Sequence, residues 1–132
     1  MATVDDLAAI PLFGSMSPAD LQETAPWFEV ETAGEGTRLC GEGAAGYSFF
    51  ILGEGDAVVT AGDETLGTLG PGDFFGEVAI LGGGRRSATV TTTSPARLLV
   101  LHGTEFRRLQ QEQPEIAAQI EDAMRQRLAV GS

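Results

Sequence analysis

Between Trp27 and His102 a series of glycine-centred turns cuts the chain into short apolar or alternating runs. The turns are Gly34-Glu35-Gly36, Gly41-Glu42-Gly43, Gly53-Glu54-Gly55, Ala61-Gly62-Asp63 and Gly70-Pro71-Gly72-Asp73. The runs at 27–32, 37–40, 48–52, 56–61, 64–69, 87–92 and 96–102 read as strands bounded by turn residues. Many short antiparallel strands at regular spacing bury themselves as a barrel or jelly roll. A mainly β fold is therefore expected from this stretch.

Helices flank it. Thr3-Val4-Asp5-Asp6 has the form of a capping box before Leu7, Ala8 and Ile10, and Pro11 ends that segment. Ser17 is a candidate N-cap with Pro18 in the first helical position and Asp20 near the positive end, for a helix reaching about residue 25. After the strands, Thr104 is a candidate N-cap for a helix to about residue 111. Pro114 then opens a longer one to about residue 130. In that last helix Ile116, Ile120, Met124 and Leu128 recur every fourth residue beside Ala117 and Ala123, and Glu121 with Arg125 forms an i,i+4 pair on the wet side. The stripe has three possible uses: packing on the barrel, a homodimer seam, or closure over a ligand. No repeat or second domain is visible, so residues 1–132 read as one domain: 1–26 N-terminal helices, 27–102 strands, 103–132 C-terminal helices.

Charge narrows the function. Eight basic residues, all arginine, stand against 19 acidic ones, for a net charge of −11. Nucleic-acid binding rests on neutralising phosphates with basic side chains, so no nucleic-acid partner is expected. No apolar run approaches the ~18 residues of a membrane span. The first six residues lack the basic and apolar regions of a signal peptide, and the expected location is cytoplasmic. Cys40 stands alone, which leaves no intrachain disulfide. It reads as a small buried strand residue, with a redox role as the sharper alternative. His102 is also alone, and nothing in the sequence is spaced with it as a metal site. No nucleophile is paired with a base, so no enzyme is expected.

The stretch that carries chemistry is Phe74-Phe75-Gly76-Glu77-Val78-Ala79-Ile80-Leu81, then Gly82-Gly83-Gly84, then Arg85-Arg86-Ser87-Ala88-Thr89-Val90. It reads as a short helical turn starting at a glycine, a loop without side chains, and an arginine pair entering a strand. Unpartnered amides at the start of a helical turn suit an anion. Gly76, lacking a Cβ, lets a ligand approach the backbone. Arg86 can give a phosphate two parallel charge-assisted hydrogen bonds. Glu77 can accept hydrogen bonds from a sugar hydroxyl. An anion receptor beside a hydroxyl receptor describes a sugar phosphate. The plainer alternative is a Glu77–Arg86 surface ion pair worth about 0–1 kcal/mol. A long glycine-bearing motif is a costly way to hold such a pair.

This motif resembles the phosphate-binding cassette of the cyclic-nucleotide-binding domain family, which includes the bacterial catabolite activator and the regulatory subunits of cAMP-dependent protein kinase. The resemblance extends over nearly the whole chain. It implies an eight-stranded antiparallel β-roll, jelly-roll-like, with N-terminal helices, a short cassette helix within 74–90 and C-terminal helices. It also implies a cytoplasmic ligand sensor in signal transduction rather than a catalyst. By the same resemblance, the amides of Gly76 and Ala79 line the cyclic phosphate, Val78 belongs to the ligand-binding stretch between them, Glu77 takes the ribose 2′-hydroxyl, and Arg86 pairs with the phosphate. Ser87 stands where relatives carry a small residue or a hydroxyl, and either a ligand contact or a plain strand residue fits it. Arg85 reads as a solvated neighbour. The expected ligand is cAMP, with cGMP as the alternative because a hydroxyl at Ser87 could reach a guanine amino group. A fused or partner effector domain is expected to receive the signal. The transcription-factor relatives continue into a helix-turn-helix where this sequence stops. A docking module that keeps the fold without the ligand is the competing reading.

Overall fold

The computed structural model describes residues 1–40, 48–76 and 88–131, with backbone alone for residue 40 and residues 127–131. Two capped turns of helix begin the chain. Helix α1 is Val4–Ala8: Thr3 Oγ1 accepts from the Asp6 amide at 3.2 Å, while Asp6 Oδ2 accepts from the Thr3 amide at 2.8 Å. A 3-10 turn at Pro11–Phe13 follows. Helix α2, Pro18–Thr24, is capped by Ser17 Oγ accepting from the Asp20 amide at 3.2 Å. A second 3-10 turn, Ala25–Trp27, delays the first strand, which the sequence placed at Trp27. It closes when the Phe28 amide donates to the Ala25 carbonyl at 3.2 Å.

Among the described residues there are eight strands: β1 Glu29–Ala33, β2 Arg38–Cys40, β3 Ser48–Glu54, β4 Ala57–Ala61, β5 Glu64–Leu69, β6 Phe74–Phe75, β7 Thr89–Thr92 and β8 Ala96–His102. They form two four-stranded antiparallel sheets, ordered β1-β8-β3-β6 and β2-β7-β4-β5. With its flanking helices this is the expected β-roll. Gly55 makes the tight return from β3 to β4 possible. Its φ is +92°, and a Cβ there would run into the Pro95 carbonyl.

Strand β8 divides two cores. Leu98 and Val100 face the interior of the roll with Leu52, Ala57, Phe75 and Val90. Leu99 and Leu101 face outward, with Phe49 and Ile51 of β3, onto the helices. Being apolar on both faces, β8 reads as a continuous run rather than an alternation. Ionic contact adds to the outer face, where Arg97 of β8 meets Asp6 of α1 at 2.9 Å.

Strand β6 was absent from the sequence-based reading. Two residues carry no periodicity. The pairing is made by contacts with β3: Phe50 stacks on Phe75 with centroids 5.0 Å apart, and Phe49 tilts against Phe74 at 5.5 Å.

Helix α3, Gly103–Glu112, starts directly where β8 stops, so His102 holds the N-cap position and makes no side-chain cap. Thr104 is therefore not the N-cap but a first-turn residue. The reason is the pairing of His102 with Ser48, which extends the strand to the helix without a loop. Helix α4, Pro114–Gly131, buries Ile116, Ala117, Ile120 and Met124 in the same core as α1, α2 and the outer face of β3 and β8. Packing on the body of the domain is thus the use that the described part of the stripe serves. The side chain of Leu128 lies outside the described residues. Glu121 accepts from Gln110 Nε2 at 3.1 Å, tying α4 to α3, in place of the expected pair with Arg125.

Candidate functional site

The route into the cassette is fixed by main chain. The Leu52 amide donates to the Asp73 carbonyl at 2.8 Å, and the Gly72 amide donates to the Leu52 carbonyl at 2.7 Å. Asp73 Oδ2 accepts from the Gly70 amide at 2.8 Å and closes the Gly70–Asp73 turn. Phe74 and Phe75 then pair with β3, and Gly76 follows at φ +77°. That left-handed conformation strains any residue with a Cβ, which gives Gly76 a backbone reason beside the ligand-approach reason read from sequence.

Of the six expected site residues, only Gly76 is among the described ones. Glu77, Val78, Ala79, Arg86 and Ser87 lie outside them, as does Arg85. What the structure does give is the anchorage of both ends. Residue 76 leaves the sheet that contains β6. The chain re-enters at β7 of the other sheet, where Thr89 pairs with Thr60 and Val90 with Val59. The described residues on either side of 77–87 thus belong to different sheets, and Phe75 and Val90 lie in the roll interior with Leu52, Leu98 and Val100.

The described arginines are largely committed or exposed. Arg97 is held by Asp6, and its hydrogen bond, with that of the Thr3 amide, keeps the Asp6 carboxyl below the usual aspartate range. Arg108 contacts Glu105 at 3.2 Å and Glu112 at 3.4 Å while lying 5.5 Å above the Trp27 ring. A cleft of about 370 Å³ opens between α2 and the α3–α4 junction, lined by Asp20, Glu23, Glu112 and Glu115. Its four carboxylates repel an anion, so it is no phosphate site.

The structure also gives His102 partners that the sequence spacing conceals. Ser48 Oγ lies 2.7 Å from His102 Nδ1. The ligand atoms of Glu29, Glu31 and His102 lie within 4.8 Å of one another. The usable signal was the Glu-x-Glu of β1, which puts two carboxylates on one face of a strand. Only the β1–β8 register brings them to a histidine some seventy positions away.

Comparison with known proteins places these features in a family. Residues 30–113 match the family model described as the cyclic nucleotide-binding domain. A cyclic nucleotide-gated potassium channel of Mesorhizobium japonicum is 39% identical over 111 residues, covering 84% of this chain and 31% of the channel. A cAMP-dependent protein kinase regulatory subunit of Hypocrea atroviridis is 32% identical over 103 residues, covering 78% of this chain and 22% of the subunit. Among solved structures, a cAMP-bound regulatory subunit of protein kinase A superposes with a TM-score of 0.80 at 28% identity, over 96% of this chain and 42% of that one. The chain belongs to the cyclic-nucleotide-binding domain family, a class of ligand-sensing regulatory domains. It spans about a third or less of the length of these curated relatives. Among the described residues no helix is long and apolar enough to cross a membrane.

Proposed function

We propose that this chain is a single sensor unit that binds cAMP through its cassette and relays binding through α4, without chemistry of its own. The observation that carries this reading is the family match across residues 30–113, which contains the whole motif with its glutamate and arginine in place. The φ of +77° at Gly76 supports it, because a left-handed residue there turns the chain out of β6 into the cassette. In this reading the amides of Gly76 and Ala79 and the guanidinium of Arg86 neutralise the cyclic phosphate, with Val78 in the same ligand-binding stretch. Glu77 accepts from the ribose hydroxyl. The base lies against the apolar interior of the roll, and Ser87 contacts the ligand beside Arg86. cGMP is the second ligand to test, since the Ser87 hydroxyl also suits a guanine amino group.

The relay is argued from packing. Ile120 and Met124 are fully buried against the N-terminal helices and the outer face of β3 and β8, so a shift of that face changes the seat of α4. The ligand shifts that equilibrium by no more than its difference in affinity for the two states. The signal then passes to a fused or partner effector, as the channel and kinase names of the relatives suggest.

Parallel calorimetric titrations with cAMP and cGMP test the reading. Removing one charged, partly buried contact costs about 1.5–3 kcal/mol, so Arg86→Ala should weaken binding by roughly ten- to a hundredfold or more. Binding unchanged in that variant would reject the assignment of Arg86. No heat from either nucleotide in folded protein would favour a docking module.

A further inference from the structure

We propose that Glu29, Glu31 and His102 form a binding site for a divalent transition-metal cation of the zinc type, joining edge strand β1 to β8 where α3 begins. Glu29 pairs with Val100 and Glu31 with Leu98. Both glutamates therefore lie on the face of the sheet that β8 shares through Leu98, Val100 and His102. A strand ladder holds the three backbone positions, and only side-chain torsions remain to adjust. Their ligand atoms already lie within 4.8 Å of one another. Ligands about 2.0–2.2 Å from a tetrahedral ion stand about 3.3 Å apart, a closure within reach of two exposed glutamates.

Two further observations point to a cation. Among the described residues neither Glu29 nor Glu31 has a side-chain hydrogen bond or an ion pair, so the described part of the chain gives these two carboxylates no counter-charge. The histidine is oriented from outside the cluster. Ser48 Oγ and His102 Nδ1 are 2.7 Å apart, and in the tautomer whose Nδ1–H donates to Ser48 the Nε2 lone pair is left for a metal, the usual outer support of a ligating imidazole. One imidazole with two carboxylates suits zinc and its neighbours, whereas magnesium and calcium favour all-oxygen sets. Solvent completes the coordination on the exposed side. Because His102 ends β8 and holds the N-cap position of α3, the ion would stiffen the joint between the roll and the C-terminal helices. The site shares no residue with the cassette and stands whether or not a nucleotide binds.

The test is calorimetric titration of chelator-treated, tag-free protein with zinc ion, with magnesium ion in parallel. One saturable zinc site per chain and no magnesium heat are expected. Glu31→Gln, an exposed substitution whose fold is checked by circular dichroism, should lose at least tenfold in zinc affinity. His102→Gln should lose more, and Ser48→Ala should lose about tenfold through the freed imidazole. Cys40→Ser should bind as the unaltered chain does. Absence of a saturable site, equal affinity in folded Glu31→Gln, or loss of the site in Cys40→Ser would each overturn the proposal.

Discussion

The two sheets have the same number of described strands and very different surroundings. The β1-β8-β3-β6 sheet is covered twice, by the roll interior on one face and by helices on the other. Phe49, Ile51, Leu52 and Leu101 in it are completely buried. The β2-β7-β4-β5 sheet is covered on its inner face, and its edge strand β5 is exposed along five of six residues. Leu66 stands 55% exposed there. Stability in such an arrangement concentrates in the doubly covered sheet, and the other sheet sits at the low end of local stability. The described residues that flank 77–87 belong to one sheet each. Phe75 pairs with β3 in the doubly covered sheet, and β7 pairs with β4 in the other.

The contrast can be broken most severely at Phe49. Its ring is fully buried between β3, Phe74 and the helical layer, so Phe49→Ala should cost about 3–5 kcal/mol in urea unfolding. A loss under about 1 kcal/mol would show that the outer face of that sheet is not where stability resides.

A smaller effect is expected at Asp6, which caps α1 and ties it to β8. Asp6→Asn should cost about 1–2 kcal/mol. The sign of its pH dependence follows from the lowered carboxyl. A depressed folded-state value means that the unfolded chain binds more protons there, so the stabilisation is fully present above about pH 3.9 and is lost as pH falls through the lower folded value. The stability gap between Asp6→Asn and the unaltered chain should hold level from pH 7 to pH 5 and narrow below pH 4. A gap already closing at pH 6 would point to another group.

The smallest effect sharpens the comparison from the other side. Leu66→Thr on exposed β5 should change stability by less than about 0.5 kcal/mol, because a β-branched polar residue suits an open edge strand. Destabilisation beyond 1 kcal/mol would mean that β5 is covered by a second molecule in solution, and sedimentation would reveal that copy.

Much of the architecture was legible because local chemistry wrote it. Thr3 with Asp6, and Ser17 with Pro18, announce their helices through short-range hydrogen bonds within four residues. The glycine turns announce the hairpins because few other residues adopt those backbone angles. The run Leu98 to Leu101 announces a strand, although whether one face or both were covered needed the helices in place. The cassette was legible as a motif because its residue types and spacing are contiguous in sequence, and the family match spans it.

The remainder depends on partners distant in sequence. β6 exists because Phe50 and Phe49 meet Phe75 and Phe74 across a sheet, and no window around two residues contains that contact. The early start of α3 follows from β8 holding its pairing with β3 as far as His102. The convergence of His102 with Glu29 and Glu31 follows from the β1–β8 register. The sequence by itself therefore determined most of the elements, the turns and the cassette motif, all consequences of interactions a few residues long. Only the tertiary structure decided which strand is buried on both faces and which histidine meets which carboxylates, because strand register is set by the summed packing of the whole roll and not by any one segment.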